Sequence, residues 1–146
     1  MTMSCVTANF EFFCDQFDIE APEEGQPWPG RQGRALGEWV RAGLAPDGPP
    51  LVGMGPAWRL DFPREHMRLW VGVGLATDLS HGPQPSRRLA WWCYVCADVS
   101  FWSWFFWHRI LGVHSPEDDV LALAERLGDL LRSNPRILEL ERRDHH

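Results

Sequence analysis

The chain has 146 residues, enough for one domain with its own core, and its 45% apolar and 23% charged residues exclude a disordered protein. Its net charge of −6 is lopsided: Glu11, Asp15, Asp18, Glu20, Glu23 and Glu24 fall in the first 30 residues with no basic residue among them, and from Arg31 onward 14 acids balance 14 arginines. An acidic N-terminal fifth on a neutral body disfavours nucleic acid as a partner and suits a basic one, although a solvated edge would have the same composition.

In chain order, Val6, Ala8, Phe10, Phe12 and Cys14 alternate with Thr7, Asn9, Glu11, Phe13 and Asp15, which predicts a strand with one apolar face. A helix would leave Phe12 on the wrong side. Residues 21–30 hold three prolines and two glycines and read as a loop. Leu36, Trp39, Val40 and Leu44 share one face of a helix over about Arg31 to Leu44, stopped by Gly43 and the Pro46-Asp47-Gly48-Pro49-Pro50 run.

Trp58, Leu60 and Phe62 alternate in a short strand, joined through Pro63–His66 to a second strand with Met67, Leu69, Val71, Val73 and Leu75 on one face. Gly72 and Gly74 leave bare backbone on its other face, where Trp92 or Tyr94 of the next strand could lie. Residues 77–88 read as a loop.

The stretch from Leu89 to Leu111 carries five of the nine tryptophans and the one tyrosine. Leu89, Trp91, Cys93, Val95, Ala97 and Val99 form an apolar face of a strand, and the alternate residues end in Asp98 and Ser100. Phe101 to Trp107 fits a continued strand, a bend or a short helix. A membrane span is disfavoured, because Asp98 would lie near the bilayer centre and the tryptophans fill the middle, not the interfaces.

The last helix opens at Ser115 and Pro116, with Glu117, Asp118 and Asp119 at the positive end of its dipole. Val120, Leu123, Ala124, Leu127, Leu130 and Leu131 form its buried stripe, and Asn134-Pro135 ends it. Ile137, Leu138 and Leu140 add a short tail strand or extend the last packing layer. The elements predict one α+β domain over residues 1–146 in the order β-α-β-β-β-α. It is an antiparallel sheet of four to five strands with two helices packed on one face. His145 and His146 look like the stub of a purification tag.

No catalytic motif is present. Cys93 and Cys96 have CxxC spacing, but residues three apart in a strand face opposite sides, so buried free thiols are expected and no metal or redox cofactor. His66, His81, His108 and His114 are scattered, and Gly53-Met54-Gly55 is too short to cradle phosphate. Four cysteines without a secretory leader point to a cytoplasmic protein.

The element order, the acidic N-terminal segment and aromatic-rich strands such as Pro56-Ala57-Trp58-Arg59-Leu60 resemble the bacterial immunity proteins of polymorphic toxin systems. The resemblance covers roughly Phe10 to Glu141 and is one of architecture. It implies a non-enzymatic, stoichiometric inhibitor that covers the active site of a cognate toxin. Asp15, Asp18, Glu20, Glu23 and Glu24 would meet a basic cleft, with Trp28 as an aromatic anchor. Two other readings stay open: a small-ligand or enzymatic pocket lined by Trp92, Tyr94, Trp102 and His108, and an oligomer interface made by Phe101–Trp107.

Overall fold

Period-two alternation carries through to the architecture. In a computed structural model of the protein, residues 2–4, 7–20, 25, 30–64, 67–77, 89–100 and 116–145 are described. Their order is β1 (Thr2–Ser4), β2 (Thr7–Cys14), α1 (Arg34–Leu44), β3 (Val52–Met54), β4 (Ala57–Pro63), β5 (Arg68–Leu75), β6 (Ala90–Ser100), α2 (Pro116–Arg132) and β7 (Ile137–His145). The strands form one antiparallel sheet in the order β3-β4-β5-β6-β2-β7, with β1 also pairing β6.

The expected α+β class and antiparallel sheet are present, but four to five strands is too few. The additions are β1 and β3, three residues each and too short to show a period; at residues 137–140 the strand alternative holds, and β7 runs for nine residues. The pairing registers of β1 and β2 on β6 differ by one: Ser4 pairs with Asp98, and Ala8 with Val95.

One face of the sheet is the core side. Ala8, Phe10, Phe12 and Cys14 of β2, Trp91, Cys93, Val95 and Ala97 of β6, Leu69, Val71 and Val73 of β5, and Trp58, Leu60 and Phe62 of β4 are all buried there. Helix α1 packs over β4 and β5, and α2 over β6, β2 and β7. They contribute Leu36, Val40, Leu44, Val120, Leu123, Ala124, Leu127 and Leu131 to the same cluster. Burying each large side chain contributes about 1.5–3 kcal/mol. Trp91, wholly buried, meets Phe17 edge-on at 6.1 Å and donates its indole N–H to the Cys14 carbonyl at 3.1 Å. The one polar atom of that large side chain is therefore satisfied inside the core.

Strand β7 holds the main irregularity. Glu11 opposes Glu141, yet Phe13 opposes Leu138, so β7 carries one residue more than β2 between those pairs. Glu139 sits at this bulge with φ +54°, the one positive φ outside glycine among the described residues. The bulge lets Ile137 and Leu140 both pack against the core although they are three residues apart. Residues with that spacing in a regular strand would face opposite ways.

Candidate protein-binding surface

The opposite face of the sheet carries the polar and half-buried residues. Its rows follow from the register. Glu141, Glu11, Trp92 and Gly74 stand in one row across β7, β2, β6 and β5, and Leu138, Phe13 and Ala90 in the row beside it. Two depressions share Phe13. A cleft of about 290 Å³ is lined by Phe13, Cys14, Asp15, Pro135, Arg136 and Leu138. A shallower groove of about 130 Å³ is lined by Glu11, Phe12, Phe13, Ala76, Ala90, Glu139 and Glu141.

This corner joins apolar and acidic surface. Leu138 is 45% exposed, and Val52 on β3 is the other large exposed hydrophobic among the described residues. Four carboxylates, Glu11, Asp15, Glu139 and Glu141, surround Phe13 and Leu138 and are exposed. Two guanidiniums temper them. Arg136 donates to Asp15 through Nε at 3.1 Å and through its terminal nitrogen at 3.0 Å, and Arg143 lies 3.5 Å from Glu141. Among the described residues that line these depressions or pair with them, four carboxylates stand against two guanidiniums. Glu11 and Glu141 stand directly opposite each other across β2 and β7, an arrangement that costs stability between like charges.

The acidic residues named from the sequence separate in role. Asp15 rims the larger cleft and pairs with Arg136. Asp18 is exposed. Glu20 is built into the fold: its Oε1 accepts the Ala35 amide at 3.0 Å, satisfying the first turn of α1. The N-cap itself, Gly33 at φ 103°, has no side chain to do so. The Gln32 side chain closes onto the Glu20 backbone in both directions, donating to its carbonyl and accepting its amide at 2.7 Å each. Glu23, Glu24 and Trp28 lie outside the described residues. Sequence reasoning missed Glu11, Phe13, Leu138, Glu139 and Glu141, whose approach depends on the β2–β7 register. The run of acids over residues 15–24 is the conspicuous feature of the sequence, and no local signal ties residue 11 to residue 141.

The aromatic half of this face is occupied by its own rings. Trp92 covers Gly74, and the Trp70 and Tyr94 rings lie 5.7 Å apart. Trp70 donates to Asp98 Oδ2 at 3.1 Å. Burial raises the Tyr94 hydroxyl above its usual pKa, against a lowering hydrogen bond with Thr7. Of the pocket residues considered from sequence, Trp102 and His108 lie outside the described residues, as does the Phe101–Trp107 interface segment. Cys93 and Cys96 do face opposite sides. Cys93 is wholly buried in the core, where loss of solvent pushes its thiol far up, and the Cys96 thiol lies 4.0 Å from Asp98 Oδ1 on the other face. Burial also raises the Cys14 thiol.

No group of three or more potential metal ligands occurs among the described residues, and no helix among them is long and apolar enough to cross a membrane. Comparison of the chain with family models, with curated protein sequences and with solved structures gives no match.

Proposed function

We propose that this protein is a stoichiometric, non-enzymatic inhibitor of the immunity-protein kind, which neutralises a cognate bacterial toxin in the cytoplasm by covering its active site. One observation supports this most: the exposed carboxylates of Glu11, Asp15, Glu139 and Glu141 gather around the apolar Phe13 and Leu138 at one corner of the sheet. An apolar centre with an acidic rim suits a basic cleft, where charge speeds encounter and the apolar contact holds the complex. Asp15 rims this corner, and Asp18, three residues on, is exposed as well. The opposed Glu11–Glu141 pair fits the same reading, since a docked cation would relieve it.

The test is capture of the partner from the source lysate, then titration of the purified pair. A one-to-one complex with a toxin domain is expected, with toxin activity abolished on binding. Glu11→Arg with Asp15→Arg is expected to weaken the complex at least about tenfold at low salt, with a smaller difference at high salt. Charge reversal at Glu23 and Glu24 tests the rest of the acidic segment. A complex indifferent to both pairs of reversals and to salt would overturn the acidic-surface reading.

A further inference from the structure

The two edges of the sheet differ. Strand β3 is three residues long, which limits its use as a template. Strand β7 is nine residues long, and among the described residues no strand pairs with its far side. Beyond the bulge at Glu139 its outward faces alternate regularly: Glu141 and Arg143 share the face of Glu11 and Asn9, and Arg142 shares the core face with Phe10.

That charge order is self-complementary. Two copies of β7 laid antiparallel about a two-fold axis perpendicular to the sheet keep like faces together only in registers that pair residues of equal parity. With Arg142 at the centre, Glu141 of each copy stands opposite Arg143 of the other, twice over. Every such register sets one residue against its own copy: centring on Arg143 or Glu141 opposes two exposed like charges, whereas centring on Arg142 opposes two guanidiniums that are each paired on the core face of their own subunit. We infer that the β7 edge is a self-association surface, on which a second copy of this chain adds its own β7 antiparallel with Arg142 at the two-fold axis.

Two features of the isolated chain fit this register. Glu141 faces Glu11 on its inner side and lies 3.5 Å from its own Arg143, an exposed pair that the dimer would exchange for two pairs across the axis. The two central arginines are held back from each other: Arg142 stacks over Phe10 at 5.7 Å, donates to Glu125 of α2 at 2.7 Å and to Asp144 at 2.9 Å. Each guanidinium is therefore drawn over its own subunit and neutralised there. The shared segment is about five residues, roughly 17 Å of strand, which is short of a standard interface and sets the dimer in the weak, micromolar class.

The experiment needs only the purified protein and is independent of any toxin partner. Sedimentation equilibrium from about 5 to 500 µM is expected to show a reversible monomer–dimer equilibrium. Glu141→Arg alone and Arg143→Glu alone place like charges across the axis and should each weaken the dimer about tenfold. The double variant Glu141→Arg/Arg143→Glu reverses both and should restore dimerisation to within about threefold of the parent. A parent protein monomeric throughout, or a double variant no better than the singles, would overturn the inference.

Discussion

Trp92 lies across the bare backbone of Gly74, its directly paired neighbour on β5, so closely that a Cβ at residue 74 would stand 2.7 Å from the indole Cε2. The small residue is therefore a requirement of the ring's position on the outer face. Gly74→Ala is expected to destabilise the protein by about 2 kcal/mol, as for overpacking in a filled site. In a Trp92→Leu background the same change should cost well under about 1 kcal/mol. Urea unfolding of the four proteins in this cycle measures the coupling, and strictly additive costs would show that the ring and the glycine do not constrain each other.

The opposed Glu11–Glu141 pair predicts a trade between stability and binding. Glu11→Gln removes one like charge and should stabilise the isolated protein by a few tenths of a kcal/mol at low ionic strength. The same change should weaken a basic partner. Thermal unfolding at two salt concentrations gives the first quantity, and the gain should shrink as salt rises.

Glu20 and Asp18 are two residues apart yet differ in what they touch. Glu20→Ala removes the carboxylate that accepts the Ala35 amide and should cost about 1 kcal/mol, the usual value of a lost helix cap. Asp18→Ala is exposed and should stay within about 0.5 kcal/mol of the parent. Equal effects in chemical denaturation would remove the capping role from Glu20.

Burial of Cys93 contributes to a loss of stability at alkaline pH. Its folded-state thiol is raised above the ordinary value of 9.0, so below that pH the thiol is protonated in both states and costs nothing. Above pH 9 the unfolded chain releases this proton while the folded chain keeps it, and stability falls as pH rises, by up to about 1.4 kcal/mol per pH unit for one such group. Cys93→Ala should therefore be less stable than the parent near pH 7, because of the lost packing, yet show a shallower decline between pH 9 and 10. Parallel slopes would mean that this thiol does not govern the alkaline loss.

The alternation of Trp91, Cys93, Val95 and Ala97 against Trp92, Tyr94 and Cys96 was enough to place one set in the core, because a strand's geometry turns successive side chains to opposite faces. The same alternation separated Cys93 from Cys96, and the helical spacing of Leu36, Val40 and Leu44 marked α1. Strand β7 was harder to read, since Ile137 and Leu140 both reach the core only through the bulge at Glu139, and their spacing of three mimics a helix.

What the sequence determined by itself was therefore periodic and local: the strands long enough to alternate, the two helices, and the acidic bias of the first 30 residues. Only the tertiary structure decided that Glu20 caps α1 from 15 residues away, that Arg136 holds Asp15, and that Glu11 faces Glu141. Local periodicity is written into 3.6- and two-residue backbone repeats, which any window of sequence displays. Which carboxylates share a surface depends on strand order and register, and a one-residue shift such as that at Glu139 changes them all.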